Sequence, residues 1–123
     1  MPARVASLCD LDRLDAAQVR HAGRTVARLA IVAGGGDDLD TLVKAEALRA
    51  DTVLTGTWWT AHTGDYADRN RDTLRAALPK IGMNLLGGSH DGTESVVLRD
   101  RVAPLLAGWG FDGIVLRQDD HWR

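Results

Sequence analysis

Three short apolar runs, each closed by glycine, constrain the fold of this chain more than any other feature. They read TVARLAIVAGGG, DTVLTG and IGMNLLGG, and each contains a stretch with the length of a buried strand. The segments between them carry apolar residues at three- and four-residue spacing, which is typical of helices that bury one face. Strands that alternate with helices through short glycine-rich turns predict an α/β fold with a mainly parallel sheet.

The flanking segments predict the remaining elements. We expect a first helix from Asp10 to His21, a helix from Asp72 to Leu78 that Pro79 limits, and a closing fourth strand in FDGIVLRQ. The last helix, in TESVVLRDRVAPLLAGWG, should be kinked or broken at Pro104 and end on Gly110. The chain then consists of a helical extension, residues 1–25, and one α/β domain of about four strands, residues 26–123.

The segment VAGGGDD raises the question of a phosphate-binding loop, because glycines follow a strand and precede a helix. Asp37 and Asp38 occupy the helix start, where one of them is expected to cap the free amides. Their charge would repel a phosphate, and the segment has neither a Lys-Ser/Thr pair nor GxGxxG spacing. We interpret it as a tight turn before a self-capped helix and reject nucleotide binding at this loop.

Composition excludes several classes of protein. A formal net charge of −2 provides no electrostatic footprint for nucleic acid. No apolar run approaches the roughly 20 residues that cross a membrane. Cys9 is the single cysteine and cannot form an internal disulfide. The N-terminus lacks a long apolar leader, so we expect a cytoplasmic protein.

The segment SHDGTE places His90 and Glu94 four residues apart, just after the third predicted strand. One interpretation is a capping box, in which Asp91 is the N-cap and Glu94 is the third helical residue. The other is a metal site, because residues i and i+4 lie on one helical face. An imidazole with a carboxylate suits a divalent Zn, Mn, Fe, Ni or Co ion.

The loop after the second strand carries further candidates. TGTWWTAHTGDY contains His62 and Asp65, which are weaker candidates for metal binding and proton transfer. Trp58 and Trp59 are adjacent, so on an extended strand they cannot both be buried on one side. We expect one of them to cover a pocket or to contact another subunit. Loops at the carboxyl ends of parallel strands are where sites usually lie.

Three segments of the chain, taken in order, are VARLAIVAGGGDDLDTLVKAEALRADTVLTG, MNLLGGSHDGTESVV and VLRQDDHW. Together they resemble the C-terminal half of the Nif-three-like family of metal-binding hydrolases. The resemblance covers residues 26–122. It implies a dinuclear metal centre in which His90 and Glu94 are ligands, with Thr93 between them. It also implies a toroidal hexamer whose sites face an inner cavity. Some family members carry a GTP cyclohydrolase label, which we do not take as an established activity.

The chain departs from the family pattern in two places. A His-His pair and an aspartate, which are the family's other ligands, have no counterpart here. After TG the family has an acid and a lysine, where this chain has Thr57 and the two tryptophans. Three explanations remain open. The chain belongs to a longer product, it recruits His62, Asp65 or His121 as further ligands, or it has lost the metal.

The functional prediction is a homo-oligomeric protein that binds a divalent metal through His90 and Glu94. If it is an enzyme, we expect a metal-dependent hydrolase that activates water against an unidentified small-molecule substrate. The alternative is a non-catalytic interaction module whose tryptophans make subunit or partner contacts and in which Glu94 only caps a helix.

Overall fold

A computed structural model describes residues 1–9, 11, 15–59 and 63–117. In this part of the chain, four strands form one sheet in the order β1-β4-β3-β2. Their bounds are β1 Val19–Arg20, β2 Leu29–Gly35, β3 Thr52–Thr57 and β4 Asn84–Gly87. The β2, β3 and β4 strands are parallel, and β1 is an antiparallel edge strand. The predicted α/β fold with a mainly parallel sheet is confirmed.

Five α-helices accompany the sheet among the described residues. They are α1 Pro2–Leu8, α2 Leu39–Ala47, α3 Asp65–Ala77, α4 His90–Val97 and α5 Ala103–Gly108. Short 3₁₀ turns cover Ala16–Gln18 and Leu78–Lys80, and a π-helical turn covers Leu98–Val102. None of the helices in the described residues is long and apolar enough to span a membrane.

Both faces of β3 and β4 are buried, whereas one face of β2 is open to solvent, since Ile31 is 72% exposed. Val53 and Leu85 point toward the larger core cluster, in which Leu42 of α2 and Leu74 of α3 are almost fully buried. The following residues on each strand, Leu54 and Leu86, belong to a second cluster with Val5 and Cys9 from the α1 region. Because successive strand residues face opposite sides, a sheet buried on both sides requires continuous apolar runs. This requirement explains the apolar runs of β3 and β4.

The first predicted helix is wrong over its second half. Residues 16–18 form a 3₁₀ turn and residues 19–20 form β1, while positions 10 and 12–14 lie outside the described residues. Val19 pairs with Leu86 of β4, and the Arg20 guanidinium donates to the backbone oxygens of Leu78, Ile81 and Met83. These long-range bonds stabilise an extended backbone that the local helical pattern did not predict.

The predicted strand in FDGIVLRQ is also wrong for residues 111–117, which adopt neither helix nor strand; Gln118 lies outside the described residues. Residues 113–116 instead line a cavity of about 230 Å³ together with the π-helical turn and α5. Arg117 donates to the buried Asp91 carboxylate at 2.9 Å. Most apolar residues of this segment are exposed, with Phe111 at 61% and Ile114 and Leu116 at 83%.

The helix predicted from Asp72 to Leu78 is α3, which begins earlier, at Asp65, and ends at Ala77. A 3₁₀ turn containing Pro79 follows it, which confirms the limit that the proline sets. For Pro104 a kink or a break was predicted, and the structure shows no break: a π-helical turn joins α4 directly to α5, which contains Pro104. The α5 segment is followed by Gly110, whose φ is +85° and whose amide donates to the Ala107 oxygen.

Candidate metal centre

The carboxyl ends of β2 and β3 meet the start of α4 at one edge of the sheet. Gly56 of β3 lies where these segments are in closest contact. A Cβ atom at Gly56 would lie 2.7 Å from His90 Cα and 2.8 Å from the Ser89 backbone oxygen, and it would also collide with the Gly34 backbone oxygen. Only glycine allows the three segments to approach this closely.

Ser89 determines where α4 begins. It is fully buried, and its Oγ accepts a hydrogen bond from the Gly92 amide at 2.8 Å, which makes it the N-cap. His90 is therefore the first helical residue, and Glu94 lies one turn further along. The predicted capping box, with Asp91 as N-cap and Glu94 as the third helical residue, is wrong.

Asp91 has a different role from the one that the capping box assigned to it. Its side chain is buried and accepts hydrogen bonds from Ser95 Oγ at 3.2 Å and from Arg117 Nε at 2.9 Å. The N-cap position was decided by the buried Ser89 hydroxyl, which the sequence reading did not consider.

His90 and Glu94 point at each other. The His90 Nε2 and Glu94 Oε1 atoms are 3.2 Å apart, and the two side chains are 45% and 50% exposed. Both donor atoms are therefore together and open to solvent. This is the i, i+4 arrangement that the metal-site interpretation predicts.

Gly34 lies directly beneath this pair. Its φ is +73°, and a Cβ atom there would lie 2.5 Å from Glu94 Oε1 and 3.1 Å from His90 Nε2. The first glycine of the GGG turn thus leaves the space that the two side chains occupy. Sequence reasoning interpreted these glycines as a turn and missed their contact with the histidine and the glutamate.

Thr93 joins β2 to α4 at this point. Its Oγ1 accepts a hydrogen bond from the Gly34 amide at 3.0 Å and lies 3.0 Å from the Ser89 backbone oxygen, to which it can donate. The threonine of the His-x-x-Thr-Glu pattern therefore holds the helix against Gly34, which positions His90 and Glu94 above the strand end.

Asp38 caps α2, as one of the two predicted alternatives stated. Its carboxylate accepts hydrogen bonds from the Thr41 amide at 2.8 Å and the Thr41 hydroxyl at 2.6 Å. Burial alone would raise the pKa of Asp38, but the hydrogen bonds from Thr41 outweigh it and hold the pKa below its ordinary value. The neighbouring Asp37 carboxylate is therefore not needed for the cap.

Of the weaker candidates, only Asp65 lies within the described residues, and it does not form a metal-binding group with this pair. Asp65 is the exposed first residue of α3, and His62 and His121 lie outside the described residues. In the described ranges, no three His, Cys, Asp or Glu side chains form a group that could hold a metal ion.

The two adjacent tryptophans have different environments. Trp58 is buried in the larger core cluster, and Trp59 is half-buried with the Arg75 guanidinium 5.7 Å from its ring centroid. The prediction that one of them covers a pocket or contacts a subunit stays a prediction.

The chain matches no protein-family model, no curated protein and no solved structure. The Nif-three-like resemblance accordingly stays a prediction from the sequence.

Proposed function

We propose that this protein binds a divalent transition-metal ion through His90 and Glu94, in the manner that a Nif-three-like protein would. The observation that carries the proposal is the 3.2 Å approach of His90 Nε2 to Glu94 Oε1 at the carboxyl edge of a parallel sheet. Sites in open α/β sheets usually lie at this edge.

The donor atoms fit such an ion. An imidazole nitrogen and a carboxylate oxygen together suit Zn, Mn, Fe, Ni or Co, whereas Mg and Ca prefer oxygen alone. The space above Gly34, which a Cβ atom would fill, is occupied by both donor groups. The main structural explanation for Glu94, a capping role, is removed because Ser89 caps α4.

The activity that we propose for the loaded protein is hydrolysis of an unidentified small molecule. A bound divalent cation would supply Lewis acidity for that reaction. His90 and Glu94 would hold the ion, and Thr93 would position both of them through its contact with Gly34. A cytoplasmic location and a homo-oligomeric state belong to this proposal on the sequence grounds stated above.

Metal content provides the first test. Protein purified without a histidine tag or chelator would be measured by inductively coupled plasma mass spectrometry, before and after incubation with Zn²⁺, Mn²⁺ or Co²⁺. We expect the wild-type chain to retain metal and both His90→Ala and Glu94→Gln to lose it, with unchanged circular dichroism. His21→Ala is the matched control, because His21 is an exposed histidine outside the helices and strands. Retention of metal by His90→Ala would rule out the assignment.

A second candidate function, a non-catalytic interaction module, is favoured by one specific observation. The chain exposes five large apolar side chains in its C-terminal part, which we call the C-terminal apolar surface. They are Leu105, Trp109, Phe111, Ile114 and Leu116, whose exposed fractions range from 53% to 83%. Apolar patches of this kind mark contacts with other molecules. A metal site and a subunit contact are compatible with each other.

A further inference from the structure

We infer that Asp37 is a third protein ligand of the metal site, an inference that rests on the proposed binding of metal by His90 and Glu94. Asp37 directly follows the three glycines at the end of β2. A Cβ atom at Gly35 would lie 3.7 Å from Asp37 Oδ1 and 3.9 Å from His90 Cε1. The carboxylate and the imidazole thus both reach within 4 Å of one point, on the glycine turn beneath the His90–Glu94 pair.

The backbone around Asp37 is held in place from two sides. The Asn70 side-chain amide of α3 donates to the Asp37 backbone oxygen, and the Gly36 amide donates to the Thr57 backbone oxygen at 2.9 Å. Among the described residues, none donates a hydrogen bond to the Asp37 carboxylate, because the cap of α2 is made by Asp38. Asp37 thus combines a fixed backbone with a carboxylate that is available to bind an ion.

An unsatisfied polar atom lies at the same edge. Thr57 is only 7% exposed, and its Oγ1 has no hydrogen-bond partner among the residues that the structure describes. Thr57 is the Cα partner of Gly35 in the β2–β3 register. Buried hydroxyls are nearly always hydrogen-bonded, so the Thr57 hydroxyl is available to a further polar partner.

A third ligand is also what the chemistry of the pair demands. Catalytic zinc sites normally keep three protein ligands, so a histidine and one glutamate do not hold an ion tightly. His90, Glu94 and Asp37 together supply a neutral nitrogen and two negative carboxylates, which balance a divalent charge. The three side chains do not form a ligating group in the structure. The inference therefore includes a rotamer change of Asp37 when the metal binds.

Isothermal titration calorimetry with Mn²⁺ and Co²⁺ tests the role of Asp37. For Asp37→Asn we expect Kd to rise by more than the roughly 10–100-fold that the loss of an outer-shell partner causes. Asp40→Asn is the matched control, since it removes the same charge from an exposed position in the first turn of α2. We expect that control to stay within about twofold of wild type at about 0.15 M salt, because exposed charges are screened there.

The visible absorption spectrum of the Co²⁺ form provides a readout that is independent of activity. Loss of a ligand changes the coordination and hence the band positions and intensities, whereas a purely electrostatic effect leaves them unchanged. Asp37→Glu restores a carboxylate on a longer side chain, and we expect it to bind Co²⁺ more tightly than Asp37→Asn does.

The outcomes separate the two proposals. If wild type and Asp37→Asn bind Co²⁺ with equal Kd and identical spectra, Asp37 is not a ligand, and the proposed function of His90 and Glu94 stands. If the wild-type protein binds neither Mn²⁺ nor Co²⁺, the proposed function fails and the inference fails with it. A loss of binding in Asp37→Asn with an unchanged thermal unfolding curve supports the inference.

Discussion

Gly34 is in the left-handed backbone region and lies beneath the two side chains that we propose as ligands. An L-residue in this region is strained by roughly 1–2 kcal/mol, whatever surrounds it. At Gly34 the added Cβ would also meet Glu94 Oε1 and His90 Nε2. A substitution here therefore has two effects, one on the backbone and one on the donor pair, and a second glycine in the chain allows them to be separated.

The first prediction compares Gly34→Ala with Gly23→Ala. Gly23 has the same φ of +73°, but a Cβ there would meet nothing within 4 Å. Both variants should lose about 1–2 kcal/mol of unfolding free energy from backbone strain. Only Gly34→Ala should also displace Glu94 and His90 and weaken metal binding by at least about tenfold, or about 1.4 kcal/mol. Urea unfolding and calorimetric titration measure the two effects, and equal metal affinity in the two variants would contradict the proposed site.

At the scale of elements, the start of α4 decides the geometry of the site. Ser89 adopts a φ of +61°, which is unusual for a residue with a side chain, and its hydroxyl caps the helix. This turn brings His90 next to Gly34. At its other end, α4 is followed by the π-helical turn Leu98–Val102. The helix that carries both candidate ligands is therefore short and fixed mainly at its first turn.

The second prediction compares Ser89→Ala with Ser89→Gly. Alanine removes the cap and keeps the backbone strain, so the free energy of unfolding should fall by about 1 kcal/mol or more. Glycine also removes the side-chain cap but relieves the strain, so its cost should be only a few tenths of a kcal/mol. Thermal unfolding followed by circular dichroism gives both values. If Ser89→Ala proves as stable as Ser89→Gly, backbone strain at position 89 has no effect, and if both are as stable as wild type, the hydroxyl cap has none either.

At the scale of the whole molecule, Asp51 links distant segments of the fold. Its carboxylate accepts hydrogen bonds from the Ala27 amide, the Arg28 amide and the Thr52 hydroxyl, at 2.7 to 3.0 Å. Burial would raise the pKa of Asp51, but these hydrogen bonds outweigh it and hold the pKa below its ordinary value of 3.8. The ionised form therefore stabilises the folded chain.

The third prediction is the acid dependence that follows. Because the folded pKa of Asp51 is lowered, its stabilisation is present above about pH 3.8 and is lost as the pH falls through the folded pKa. Asp51→Asn should lower the free energy of unfolding at pH 7, and its difference from wild type should shrink below pH 3.8. Urea unfolding at several pH values measures this, with the exposed Asp40→Asn as control. A difference that stays constant down to pH 2 would show that the charge of Asp51 is not responsible.

The fourth prediction concerns the C-terminal apolar surface. We expect the chain to self-associate through it, because burying exposed apolar groups is the main driving force of association. Ile114→Glu places a charge on this surface at a residue that is 83% exposed. Leu48→Glu is the control, because it places the same charge on a 66% exposed leucine outside this surface, at the C-cap of α2. Sedimentation velocity should show an oligomer that Ile114→Glu dissociates and Leu48→Glu does not. A monomeric wild-type chain at tens of micromolar would contradict the predicted oligomer.

The sequence by itself determined the α/β class, the three parallel strands, an aspartate cap for α2 and the end of α3 before Pro79. Each of these depends on local patterns. Continuous apolar runs predict strands that are buried on both faces, an aspartate just before an apolar stripe predicts an N-cap, and proline lacks the amide that a continuing helix uses. The i, i+4 spacing likewise placed His90 and Glu94 on one face of a helix.

Only the tertiary structure decided which residues lie around that pair. Val19 and Arg20 became a strand because β4 offers them hydrogen bonds, whereas residues 111–117 pair with none of the strands that the structure describes. The close approach of Gly34 and Gly35 to His90 joins segments that are more than fifty residues apart in the chain. No local pattern encodes such contacts, because they depend on how closely β2, β3 and α4 pack once Gly56 allows their backbones to meet.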